Sequence, residues 1–285
     1  VTEQVKIADA LPFKLVPLTP LIGAEIEGID LAEPVAAETL KGLRAALLDR
    51  KVLFFRDQDI TTEQHLAFAR LFGALEVHPF APHKDGYPEV MAITHDETNK
   101  GRENAWHSDV TWRLEPSLGS VLRAIEVPPV GGDTLFADMY AAYDGLSAEV
   151  KAKIEGRTAM HDFAHFRKGM EKRGLPPEKI AEFNKQYPMA EHPVVRTHPE
   201  TGRKGIYVNV GFTQYIVGMD RAESDALLKH LYAQAAIPEY QCRFRWRANS
   251  IAFWDNRSSQ HYAVSDYFPA VRRMERVTIV GDRPY

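Results

Sequence analysis

A β-rich α+β fold, a sandwich or jelly roll with helices as decoration, is what this sequence predicts, and three observations predict it. Short strand-like segments recur along the chain and dominate its last third. Helical periodicity is concentrated near the start and in a few insertions. Alternating strand–helix–strand units, which would argue for a doubly wound parallel sheet, are absent. The 285 residues, 45% hydrophobic and 26% charged, suffice for a sizeable core. No repeat, low-complexity tract or clear linker divides them, so residues 1–285 read as one domain.

Taken in order, residues 14–30 give two short strands broken at Pro17, Thr19 and Pro20. Over residues 38–50, Leu40, Leu43, Leu47 and Leu48 share one helical face. Residues 51–55 form an apolar run of the buried-strand type. Thr61 with Gln64 spells a capping box, opening a helix through Phe72 that Gly73 closes. Residues 77–88, rich in proline, read as loop before a strand at 90–94. The stretch 106–112, Trp-His-Ser-Asp-Val-Thr-Trp, has the β-branched and aromatic content of a strand. Residues 118–127 suit a central strand, and Gly131-Gly132-Asp133-Thr134 is a turn feeding another. Helices are expected over 138–145 and 147–155. Residues 164–191 are charged and carry Gly169, Gly174, Pro176, Pro177 and Pro188, the composition of a lid or binding loop. Strands resume at 192–197 and 205–209, Asp220 with Glu223 opens a helix to about Ala236, and strands at 241–247, 250–254 and 273–280 follow.

Composition excludes several functions. A net charge of −4 without a basic stripe gives no support for nucleic-acid binding. The single cysteine, Cys242, leaves no internal disulfide and fits a reducing compartment. Glu3, Lys6, Asp9 and Lys14 interrupt the start, so no secretory signal is expected there. No run approaches ~18 apolar residues, so no membrane span is expected and a cytoplasmic location is the default.

Chemistry concentrates at residues 106–112. On a strand, His107 and Asp109 at i and i+2 point the same way. An imidazole and a carboxylate so held are two of three ligands of a 2-His-1-carboxylate site, which suits non-haem Fe(II) with open positions. The third ligand must come from afar, and His261, in a loop after Trp254-Asp255-Asn256-Arg257, is the candidate. With 11 histidines in the chain, chance pairing is easy, and a lone histidine is commonly structural. The rival His83-Lys84-Asp85 sits between Pro82 and Gly86-Tyr87-Pro88, in turn chemistry that holds no common face. Arg272, Met274 and Arg276 share one face of a strand, the two arginines ~13 Å apart at ~3.3 Å per residue. Such guanidinium groups are costly to bury unless each meets an anion, which leaves room for two acids beside a metal. The alternative is a pair of solvated edge charges.

The motifs WHSDVTW, GGDT with an apolar residue after it, WDNR-x-x-x-H and the 272–276 segment resemble the taurine/2-oxoglutarate dioxygenase family. The resemblance runs from Ile22-Gly23-Ala24-Glu25 to Gly281-Asp282, in the family's order, and includes HPVVRTHP at 192–199. It implies a double-stranded β-helix (jelly roll) core and Fe(II) held by His107, Asp109 and His261, with 2-oxoglutarate and O2 as cosubstrates. It implies that Arg272, aided by Thr134, binds the distal carboxylate of 2-oxoglutarate, and that no catalytic residue beyond the metal ligands is required. Arg276 and His78 map to the substrate's anionic group and Phe212 to an aromatic wall of the pocket; Phe166, in the 164–191 lid, is a further candidate contact that the resemblance does not place. Two positions depart from the taurine pocket: Ala81 replaces a tyrosine, and Glu103 an asparagine, although Asn104 lies next to it. The implied reaction hydroxylates a small anionic substrate, first a sulfonate such as taurine, giving sulfite, aldehyde, succinate and CO2. Alkyl sulfate esters and aryloxyalkanoates are alternatives within the family, and a homo-oligomer is implied as well. From the residues alone, a zinc hydrolase with the same ligands or a non-catalytic β-sandwich binding module are other classes. The hydrolase leaves the second arginine without a task.

Overall fold

Strands apolar on both faces need cover on both sides. The computed structural model, which describes residues 11–101 and 104–285, covers one face of the main sheet with helices and the other with a second sheet. The chain begins β1 (Lys14–Pro17), β2 (Ala24–Glu27), α1 (Ala37–Arg50), β3 (Val52–Phe55), α2 (Thr62–Arg70), β4 (His83–Lys84), β5 (Tyr87–His95), β6 (Gly119–Glu126) and β7 (Thr134–Asp138). It continues α3 (Met139–Asp144), α4 (Ala148–Ile154), β8 (Thr158–His161), α5 (Ala164–Lys172), α6 (Pro177–Gln186), β9 (Ala190–Pro193), β10 (Val195–Thr197) and β11 (Lys204–Ile206). β12 (Thr213–Ile216), α7 (Arg221–Gln234), β13 (Gln241–Phe244), β14 (Ile251–Asp255), β15 (Ser259–Ala263) and β16 (Arg272–Ile279) follow.

The main sheet has eight strands in the order β1-β2-β3-β14-β6-β16-β5-β4. It is mixed: β2 and β3 run parallel and the other neighbours antiparallel. The smaller sheet β13-β7-β15 lies across its inner face, and β12-β8-β9 and β10-β11 are minor sheets. Period-2 alternation sorts the side chains. Leu53 and Phe55 of β3 pack with Leu43, Leu47, Phe68 and Phe72 under α1 and α2, whereas Val52 and Phe54 enter the inter-sheet core with Phe136, Phe244 and Trp254. Phe54 stacks on Phe244 with ring centroids 4.0 Å apart. In β16, Met274 joins the inter-sheet core while Val277 and Ile279 turn to the helices. Arg272 and Arg276, two residues either side of Met274, thus look into the space between the sheets.

Local signals were reliable where the chemistry is local. Thr61 Oγ1 accepts from Gln64 N at 3.2 Å and Gln64 Oε1 from Thr61 N at 2.7 Å, closing the expected capping box. Gly131 and Gly132 have φ of +84° and +71°, which glycine adopts freely, and Gly132 N donates to Asp266 Oδ1 at 2.8 Å. Other expectations need correction. The loop expected over 77–88 already contains β4 and the start of β5, which pair as a hairpin at the sheet edge, where Pro88 is tolerated. His261 lies on a strand, β15, because that segment pairs with β7. Residues 164–191 contain two helices, α5 and α6, rather than irregular chain. β8 and β12 had no expected counterpart. Among the described residues no helix is long and apolar enough to cross a membrane. The charges at Glu3, Lys6 and Asp9 lie outside the described residues.

Candidate metal centre

The segment 106–112 is not a strand. Only His107 joins a β-bridge, to His261, and residues 109–112 form a turn with Val110 at φ +48°. Its β-branched and aromatic residues serve burial instead: Val110, Thr111 and Trp112 are 2%, 0% and 1% exposed. The bridge is reciprocal, His107 N donating to His261 O at 3.1 Å and His261 N to His107 O at 2.8 Å. It sets the two rings 4.2 Å apart, centroid to centroid. The turn then brings Asp109 back, its Oδ1 3.8 Å from His107 Nε2 and 3.9 Å from His261 Nε2. Convergence of the three is therefore achieved by a bridge and a turn, not by strand alternation. Among the described residues no other group of three or more His, Cys, Asp or Glu side chains converges in this way.

The protonation states suit a divalent metal. His107 Nδ1 donates to Ala105 O at 2.8 Å, which leaves the Nε2 lone pair facing Asp109. His261 is enclosed by Trp254 and Phe136, and burial, with the neighbouring His107, lowers its pKa to about 3, so it is neutral at pH 7. Burial alone would raise the Asp109 pKa. Arg276 Nη1 at 2.7 Å, helped by His261 and His107, outweighs it and holds the carboxyl well below its usual range. A neutral imidazole at His261, the Nε2 of His107 and an ionised carboxylate at Asp109 in one pocket fit Fe(II).

Around this triad the expected residues fall into two groups. Arg272 is buried, with its guanidinium 5.9 Å from the Tyr267 ring centroid and its stem against the Gly132 backbone. Thr134, at the start of β7, is buried and its Oγ1 accepts from Trp246 Nε1 at 2.9 Å. Arg276 reaches Asp109 from β16, and its buried Nε has no partner among the described residues. His78 Nδ1 accepts from Phe80 N at 3.2 Å and Ala81 N at 3.1 Å, which puts its proton on Nε2. Burial, then Arg276 and Arg113, lower its pKa to about 3, so it is a neutral donor. Its ring lies 5.6 Å from Phe166 of α5 and 6.3 Å from Trp112. Phe212 is buried, 6.3 Å from the His107 ring and stacked at 6.3 Å on Phe166, its N–H donating to Asn209 Oδ1 at 3.0 Å. Asn104 is exposed, and Glu103 lies outside the described residues.

The sequence reading missed the extent of the wall. Val110, Trp112, Phe163 and Phe212 form one apolar cluster, with Phe80, Phe166, Phe183 and Tyr187 packed on it. The spacings 163/166/170 and 180/183/187 are helical and carried that signal inside a charged stretch. Glu76 was missed as well. It is buried and paired with Arg113 at 2.9 Å, and burial raises its pKa against the pull of that arginine.

A 2-His-1-carboxylate triad flanked by a buried Arg272 and a half-buried Arg276 defines the class of non-haem iron oxygenases that use an oxo-acid cosubstrate. The chain belongs to the taurine catabolism dioxygenase TauD, TfdA family, whose model matches residues 14–278. It is similar to the alkylsulfatase of Acinetobacter baylyi, 37% identical over 271 residues, covering 93% of this chain and 84% of that protein. It is also similar to the alpha-ketoglutarate-dependent sulfate ester dioxygenase of Pseudomonas putida, 35% identical over 284 residues, covering 96% and 92%. The solved structure of a taurine dioxygenase from Burkholderia xenovorans matches with a TM-score of 0.82 and 40% identity, covering 95% of this chain and 90% of that one. The protein is thus an Fe(II)- and 2-oxoglutarate-dependent dioxygenase acting on a small anionic substrate.

Proposed function

We propose that the substrate is an alkyl sulfate ester, oxidised at the carbon that bears the ester oxygen. The observation that carries this reading is the setting of His78 and Arg276, a neutral donor and a cation, against a wall of Phe80, Phe166 and Phe212. That arrangement suits an anionic head on an apolar tail, and Ala81, where the taurine pocket has a tyrosine, leaves room for the tail. An ammonium such as taurine's needs an acid, and among the described residues the buried acids on this side, Glu76 and Asp162, are committed to Arg113 and Arg167. The similarity to an alkylsulfatase and a sulfate ester dioxygenase supports the same substrate class.

In this reading Arg272 and the Thr134 hydroxyl hold the distal carboxylate of 2-oxoglutarate, a task that suits the planar fork of a guanidinium. Arg276 and His78 Nε2 hold the sulfate and so fix which carbon faces the iron. Bound Fe(II), 2-oxoglutarate and O2 supply the oxidation, one oxygen atom going to the substrate carbon and one to succinate, with loss of CO2. The hydroxylated carbon then carries both OH and the sulfate ester, and it collapses to an aldehyde and hydrogen sulfate. Residues 164–191, with α5 and α6, act as a lid that brings Phe166 over the pocket. The β13-β7-β15 sheet and the facing part of the main sheet form the two walls of a double-stranded β-helix within one domain.

A panel of hexyl sulfate, hexanesulfonate, taurine and an aryloxyacetate, scored for succinate together with sulfate, sulfite or phenol, tests the reading. Sulfate from hexyl sulfate as the fastest product is expected. Taurine turnover without sulfate-ester turnover overturns it in favour of the second reading, a sulfonate dioxygenase, which the similarity to a solved taurine dioxygenase supports.

A further inference from the structure

We infer that Asn256 is the positioning residue of the carboxylate ligand, holding the Asp109 turn in a conformation it would not otherwise keep. Asn256 is 0% exposed and follows the last residue of β14. Its Oδ1 accepts from Asp109 N at 2.6 Å. Its Nδ2 donates to Asp109 O at 2.9 Å, and lies 3.0 Å from Ser117 Oγ and 3.2 Å from Ser117 O. Its own N–H donates to Leu118 O at 2.9 Å. One amide thus satisfies both backbone groups of Asp109, where a neighbouring strand would have done so had residues 106–112 been a strand.

The need for such a clamp is visible one residue on. Val110 sits at φ +48°, a region that β-branched residues rarely enter, and it is buried at 2% exposure. Beyond it, Thr111 Oγ1 is fixed by Asn209 Nδ2 and by His161 Nδ1, each at 3.0 Å. Val110 is therefore held between two anchors, and Asn256 is the one on the side of the metal ligand. Asn256 also opens the connection from β14 to β15, the strand that carries His261. Its neighbour Asp255 is locked by Arg257 Nε at 2.9 Å and by His198 Nε2 at 3.0 Å, so the clamp stands on a fixed base. The same short connection thereby sets the positions of both Asp109 and His261.

Calorimetric titration of the whole protein with Co(II) alone, followed by its visible spectrum, tests the role without turnover. Asn256→Ala is expected to weaken Co(II) about 10- to 100-fold and to alter the ligand-field bands, since partners that orient metal ligands carry effects of that size. Adding Val110→Gly, which removes the penalty on the left-handed turn, is expected to recover at least ~10-fold of the loss. If Asn256→Ala does not fold, Asn256→Gln, with the same groups displaced by one methylene, carries the same comparison. Unchanged affinity and spectrum in a folded Asn256 variant overturns the proposal. So does a lowered melting temperature with no change in Co(II) binding, or a double variant that binds no better than the single one.

Discussion

His261 and Phe166 belong to one site and are held there by different physics. His261 is locked by a backbone bridge to His107 and by strand pairing to β7, so that its main chain is fixed although its buried Nδ1 has no partner among the described residues. Phe166 projects from a helix whose other face is exposed and charged, and its contacts are ring to ring, with His78, Phe80 and Phe212. Loss of a partner on the first side strands a buried donor or acceptor, which is costly. Apolar walls tolerate exchange of one large side chain for another if volume is kept. On the proposed function, the difference means that the oxidation is built into the rigid end, whereas selectivity is assigned to the end that can be altered at small cost.

The largest effect that could break this contrast is loss of an imidazole. His107→Ala or His261→Ala is expected to abolish succinate formation from 2-oxoglutarate. Wild-type turnover in either would mean that the rigid end is not where the metal sits. The arginines divide the two ends more finely. Arg272→Ala is expected to raise KM for 2-oxoglutarate ~10- to 100-fold, the worth of a charge-assisted hydrogen bond at ~1.5–3 kcal/mol, while Arg276→Ala raises KM for the sulfate ester by a similar factor and spares 2-oxoglutarate. Steady-state kinetics in both cosubstrates would reveal a swapped pattern.

At the adaptable end, Ala81→Tyr is expected to shift preference from long to short alkyl chains by ~10-fold, since each methylene in an apolar pocket counts for ~1–3 kcal/mol. Substrate-free oxidation of 2-oxoglutarate should be untouched, and a fall in that rate would show that the two ends are not separable.

The mildest test uses pH. Burial lowers the pKa values of His65 and His192 from 6.5 to about 4, against hydrogen bonds to backbone carbonyls. Both are neutral in native and unfolded chains above pH 6.5, so they leave stability unaffected there. As pH falls from 6.5 towards 4 the unfolded chain takes up protons that the native one refuses. Stability should fall over that window at up to ~1.4 kcal/mol per pH unit for each histidine and level off below it. Melting temperatures across the window check the sign, and a profile in which these histidines contribute no slope would show their rings to be solvated.

Identity and geometry were legible to different degrees. His107, Asp109 and His261 could be picked out because their residue types and neighbours carry chemistry in a short span. The means of bringing them together could not, because a turn clamped by the amide of Asn256 looks, in sequence, like a β-branched strand. β15 was hidden for the converse reason. Ser259-Gln260-His261 shows no apolar alternation and becomes strand by pairing with β7. In α5 and α6 the many charges masked the apolar stripe of Phe163, Phe166, Met170, Ile180 and Phe183, and the Glu76–Arg113 pair joins segments that nothing local relates. The capping box at Thr61 and the Gly131-Gly132 turn were readable because each is decided within a few residues.

The order of strands in the main sheet has a consequence for how the enzyme is made. β6 has β14 and β16 as its neighbours, both translated long after it. Until residue 255 has left the ribosome β6 carries two open edges, one of them stays open until residue 279 has followed, and the imidazole at 107 has no mate until residue 261 has emerged. Such late closure makes folding slow and leaves nascent chains dependent on protection from aggregation. The three iron ligands therefore cannot converge until residue 261 has emerged.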